Sequence, residues 1–148
     1  MGSREPTRLS RRHPLKQATA QEAKQFGDTF LWQERGPLDF LALLRKRVKG
    51  PTVFYTVHGR HVGWLQESDI PRLIALLDSR EPCLHVIMSI SSYLPRTPSF
   101  VGQEALFMIE GFRRGEYPPS LHSTEFYNRK AEIVAWWNQT PHPSERNR

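Results

Sequence analysis

The run Thr52-Val53-Phe54-Tyr55-Thr56-Val57-His58-Gly59-Arg60-His61-Val62-Gly63-Trp64-Leu65-Gln66 carries the strongest strand signal in the chain. Its first six residues are β-branched or aromatic, and His61 to Leu65 repeats an apolar alternation. Gly59-Arg60 between them suits a two-residue type II′ turn, which wants glycine first because that position needs a positive φ. The expected unit is a β-hairpin. Its register sets Val57 opposite Val62 and Tyr55 opposite Trp64 on a buried face. Phe54, Thr56, His58, His61 and Leu65 share the other face. Tyr55 and Trp64 are then expected to pack under the helices that contain Leu73 and Met108.

Helical signals surround this hairpin. Thr19 and Glu22 form a capping-box pattern for a short helix ended by Gly27. Gly36-Pro37 opens a second, with Leu38, Leu41, Leu44 and Val48 as its apolar stripe, widened by Phe40 and Leu43; Gly50-Pro51 stops it. Arg45-Lys46-Arg47 falls in its last turn, where cations offset the helix dipole. Ser68 or Asp69 caps a third helix, with Ile70, Leu73, Ile74 and Leu77 facing inward. Cys83 to Ile90 reads as a third strand, and Ser91 to Ser99, with its two prolines, as a loop. A fourth helix spans about Phe100 to Arg114 and stops at Gly115, its inner face being Val101, Ala105, Met108, Ile109 and Phe112. After the extended connector Tyr117-Pro118-Pro119, a fifth spans about Thr124 to Asn138, burying Phe126, Ile133, Val134 and Trp137. The expected fold is α+β, a small antiparallel sheet (the hairpin plus a third strand) packed with about five helices.

The 148 residues suit one domain and contain no apolar run long enough to span a bilayer. No hydrophobic segment follows the basic N-terminus, so a secretory signal is not expected and the location read from the sequence is cytoplasmic. Cys83 is the only cysteine, which excludes an internal disulfide. The net charge of +6 is unevenly spread. Arg4, Arg8, Arg11, Arg12 and Lys16 lie within residues 1–18 against the single carboxylate Glu5. The expected division is a disordered basic tail at 1–18, one α+β domain at 19–140 and a flexible tail at 141–148.

Chemistry-bearing residues are sparse. There is no P-loop, Gly-x-Gly-x-x-Gly, His-Glu-x-x-His, Gly-x-Ser-x-Gly or Cys-x-x-Cys. In the expected hairpin His58 and His61 oppose one another about 5.5 Å apart, half of a metal site that lacks a defined third ligand. Cys83 and His85 share a strand face, a poor alignment for a nucleophile and its base. Ser89, Ser91, Ser92, Tyr93, Thr97 and Ser99 gather hydroxyls before a helix N-terminus, the composition of a capped loop or of an anion site. Glu104 and Glu110 are expected to pair locally, Glu110 with Arg114. Trp136 and Trp137 cannot both face inward on one helix, which leaves exposed aromatic area. No metal or cofactor is expected.

Gly63-Trp64-Leu65, Ser68-Asp69-Ile70-Pro71, Glu81-Pro82-Cys83, Ser91-Ser92-Tyr93-Leu94-Pro95 and Val101-Gly102-Gln103-Glu104-Ala105 together resemble short uncharacterised bacterial proteins of this layout over about residues 50–124. The resemblance implies no activity. In general character such proteins are similar to immunity or antitoxin proteins, which neutralise a toxin by binding it.

Three functions are therefore carried forward. The first is a non-catalytic protein-binding protein of immunity or antitoxin type, with His58, Arg60, His61, Ser91, Ser92, Tyr93 and Trp136 as contact residues. The second is a nucleic-acid-associated accessory protein whose arm binds phosphates through Arg4, Arg8, Arg11, Arg12 and Lys16. The third is a small enzyme using a His/Cys site at the sheet edge.

Overall fold

The computed structural model describes residues 30–124 and 126–141. Helix α1 (Pro37–Arg47) begins with proline in its first turn and ends in Arg45, Lys46 and Arg47. It buries Phe40, Leu41 and Leu44 and leaves Leu38 exposed, so the inward face is rotated from the expected stripe toward Phe40. Its terminal cations have structural partners. Arg45 pairs with Glu81, and Arg47 lies over the Tyr55 ring.

The hairpin does not form. Strand β1 (Phe54–Val57) pairs in parallel with β4 (His85–Met88), matching Phe54 with His85 and Val57 with Met88. Strand β2 (His61–Val62) pairs antiparallel with β6 (Glu116–Tyr117). All four residues of β4 are buried, and a continuous apolar strand covered on both faces is what a parallel ladder selects. Pairing with β4 gives β1 more buried contact than the half-polar β2 offers. Gly59 does take the positive φ expected of it, at 76°, but the chain turns away there rather than doubling back. Tyr55 consequently lies beside Val86, not Trp64, and Val62 is 80% exposed instead of buried.

Trp64 is nevertheless in the core. Its ring meets Phe30, Trp32, Phe40 and Tyr117, and its Nε1–H donates to the Arg35 carbonyl. The expected third helix is shorter than its pattern suggested. A 3-10 turn (Glu67–Asp69) leads into α2 (Ile70–Ile74), and turns carry the chain on to Leu77. The expected third strand is split, because β3 (Pro82–Cys83) leaves to pair antiparallel with β5 (Ser99–Phe100) before β4 begins.

Helix α3 (Val101–Arg114) is the centre of the molecule, buried on every side from Val101 to Gly111 and ended by Gly115 in the left-handed region. It packs against α1, α2, β5, β6 and α4 (Lys130–Gln139), which a 3-10 turn (Phe126–Arg129) precedes. Gly102 allows the closest approach. A Cβ there would lie 2.2 Å from the Leu77 carbonyl oxygen. The fold is α+β with small two-stranded sheets. Four α-helices, not five, occur among the described residues, and the helix expected to open at Thr19 lies outside them. No helix among these residues is long and apolar enough to cross a membrane.

Candidate functional site

The parallel β1–β4 pair runs toward one end of the molecule, and three segments meet there. Ser89 N–H donates to the Val57 carbonyl, which sets the start of the loop after β4 beside His58. Met88 N–H donates to the Leu121 carbonyl, and Ile87 bridges His122, which brings in the segment after β6. A tight turn closed by Ser91 N–H to the Met88 carbonyl lifts Ile90 outward. Four large apolar side chains stand exposed on these segments: Ile90 at 74%, Leu94 at 56%, Tyr93 at 45% and Leu121 at 43%. The Tyr93 ring lies 4.9 Å from His122 and ties the two loops together across the surface.

A buried polar network beneath this surface holds the loops down. Glu104, in the first turn of α3, is fully buried. Its Oε2 accepts from the Ser99 hydroxyl at 2.6 Å and the Ser123 hydroxyl at 2.5 Å. Ser123 Oγ in turn accepts from Val86 N–H, and Gln103 Nε2 donates to Ser99 Oγ. His85 completes the group, its Nδ1 3.5 Å from both Gln103 Nε2 and Ser123 Oγ and 3.8 Å from Glu104 Oε2. Burial raises the Glu104 carboxyl to about 7 against the pull of its hydroxyl partners and Val86 N–H. Burial lowers the His85 imidazole to about 4, opposed by a backbone hydrogen bond with Thr97 and reinforced by His122. A neutral imidazole beside a carboxyl that holds its proton into the neutral range is a low-charge interior.

The expected contact residues fall into three groups. His58, Arg60, Ser92 and Tyr93 are exposed at the end of the β1–β4 pair; Arg60 forms an ion pair with Glu116. Ser91 is half-buried there, and its hydroxyl closes a local turn with Tyr93. His61 is turned away, stacked on Trp32 at 4.0 Å with its rings 13° apart, and burial lowers its pKa. It does not face His58, because the hairpin that opposed them is absent. Trp136 belongs to a different surface, packed on Phe112 beneath Arg113. Arg4, Arg8, Arg11, Arg12 and Lys16 lie outside the described residues.

The catalytic and anion-binding alternatives meet specific obstacles. Cys83 is completely buried, and burial together with nearby Glu104 and Glu81 pushes its thiol up, away from thiolate character. Cys83 and His85 are interior, whereas His58 is exposed and His61 lies on Trp32. Among the described residues no three His, Cys, Asp or Glu side chains gather as a metal site would require. The first amides of α3 are already taken, Val101 N–H by the Glu81 carbonyl and Gly102 N–H by that of Ser79. Ser99 points inward to a carboxyl, so the hydroxyl-rich loop does not build an anion site there.

Glu104 was expected to pair locally on the helix surface; it is instead the anchor of the interior network. The sequence does hold a signal for this. Its neighbours three and four positions away, Phe100, Val101, Phe107 and Met108, are all apolar. Glu110 behaves as expected, accepting from Arg114 at 2.7 Å. The exposed Ile90, Leu94 and Leu121 carry no comparable signal, since an apolar residue in a loop looks the same in sequence whether it tucks in or stands out. No protein-family model, curated protein or solved structure matches this chain.

Proposed function

We propose that this chain is a non-catalytic protein-binding protein, of the immunity or antitoxin type that neutralises a partner by occupying its surface. One observation carries the reading: Ile90, Tyr93, Leu94 and Leu121 stand exposed together on two loops clamped from beneath by Glu104. Exposed apolar side chains grouped on two loops that meet, here at Tyr93–His122 and Met88–Leu121, favour a contact site over the scattered exposure that carries no such meaning. A tyrosine flanked by aliphatic groups also matches the composition of interface centres. A stable complex needs about 800 Å² from each partner, so the neighbouring His58, Arg60 and Ser92 would form the polar rim.

The test is recovery of a stoichiometric complex from the native host, followed by reconstitution from purified components. Ile90→Asp with Leu94→Asp should abolish the complex while leaving the circular dichroism spectrum unchanged. A complex that survives both substitutions, or a native host that yields no stoichiometric partner, overturns the reading.

A further inference from the structure

The charge of this surface is as one-sided as its exposure. Residues 51–66, 87–103 and 117–124, which include all three segments meeting at this end, contain no aspartate or glutamate. They do contain Arg60, Arg96, His58, His61 and His122. The flanking carboxylates are occupied or enclosed. Glu116 is engaged by Arg60 and Glu104 is buried in the network, while Glu125 lies outside the described residues. The other described carboxylates belong elsewhere. Glu34 is in the turn before α1, Asp39 is on α1, Glu67 and Asp69 are in the turn before α2, Asp78 and Glu81 follow it, Glu110 is at the end of α3, and Glu132 is on α4.

We infer that this surface recognises an acidic protein segment that also carries apolar side chains; the inference rests on the binding role proposed above. The apolar centre of Ile90, Tyr93, Leu94 and Leu121 supplies desolvated contact area. Exposed Arg96 at its margin attracts carboxylates and repels a cationic partner, while exposed His58 offers an imidazole able to hydrogen-bond a carboxylate. A basic partner surface, such as a cleft that grips a nucleic-acid backbone, would meet like charge here and find no carboxylate to pair with. Nucleic acid itself fits less well than protein, because the centre of the surface is aliphatic and phosphate recognition relies on a denser set of Lys and Arg.

The probe is a displayed library of random short peptides, selected on the full chain and counter-screened on two variants. Ile90→Asp with Leu94→Asp removes the apolar centre, and Arg96→Glu reverses the rim charge. The inference expects enriched peptides that combine Asp or Glu with aromatic or aliphatic residues. Their binding should vanish on the double variant, and their affinity should fall roughly tenfold on Arg96→Glu and weaken as salt is raised. Enriched neutral or basic peptides that still need Ile90 and Leu94 would overturn the acidic partner and leave the binding role standing. Peptides that bind the double variant equally well, or no enrichment at all, would count against both. A parallel arm with single- and double-stranded oligonucleotides completes the test: binding that Arg96→Glu abolishes would assign the surface to nucleic acid and overturn the inference.

Discussion

The Ser123 hydroxyl donates to Glu104 Oε2, joining the segment after β6 to the first turn of α3 across nineteen positions of sequence. Ser99 reaches the same oxygen from the other side. One interior carboxyl therefore clamps both loops that carry the exposed apolar surface. Removing either hydroxyl should free a loop as well as weaken the fold. Ser123→Ala is expected to cost about 1–3 kcal/mol, the range for losing one partner of a buried polar group. Denaturant midpoints would measure this, and a cost indistinguishable from zero would show that the clamp does not matter.

The pH dependence should separate Glu104 from His85. Glu104 binds its proton more tightly when folded, its pKa rising from 4.5 to about 7. Its contribution is fully present below pH 4.5 and is lost as pH rises through 7. His85 is shifted the other way, from 6.5 down to about 4, so its contribution is present above 6.5 and lost as pH falls toward 4. Between these limits the two slopes oppose one another. Glu104→Gln leaves only the histidine slope, so its stability relative to the parent should improve steadily from acid to neutral pH. Urea midpoints for the two proteins that stay parallel across this range would rule the account out.

Glycine substitutions should differ sharply by position. Gly102→Ala would drive a methyl group to 2.2 Å from the Leu77 carbonyl oxygen and 2.9 Å from its carbon, both backbone atoms that cannot swing aside. A loss of about 3 kcal/mol or more is expected, at the upper end of the cost of overpacking. Gly59→Ala meets no atom within 4 Å and suffers only its positive φ. That should cost roughly 1–2 kcal/mol. Thermal unfolding of the pair checks the ranking, and equal losses would contradict it.

Trp64→Ala should cost about 3–5 kcal/mol, since the ring is 4% exposed and touches four other aromatic rings. Val62→Lys, two residues earlier and opposite Glu116, should change stability by less than about 0.5 kcal/mol, the level of an ordinary surface change. A hairpin burying both side chains would make both substitutions severe, so the contrast between the two midpoints tests the observed pairing directly.

Local signals in the sequence located the elements well and their partners poorly. Proline at the start of α1, Gly115 after α3 and the Glu110–Arg114 pair depend on residues a few positions apart, and each reads correctly. The pairing of β1 is different. Gly59-Arg60 offers a good local turn, but the competing strand, His85–Met88, lies thirty-one positions away and wins through burial on both faces. Periodicity within one segment does not register that competition. The site shows the same division. Tyr93 and Ser92 were marked by composition, whereas Ser123 and Glu104 became partners only through tertiary closure.

The parallel pairing of β1 also sets a schedule for the chain. Thr52 to Val57 is an uncharged run of β-branched and aromatic residues, and its ladder partner is complete only when Met88 has been synthesised. During that interval the nascent strand has an open edge and no local hairpin to close it. Folding governed by such long-range contacts is slow, and the waiting edge is a template for another copy of itself. Substitutions that delay the arrival of β4, even ones that barely alter the finished structure, should therefore appear first as lost soluble yield during expression.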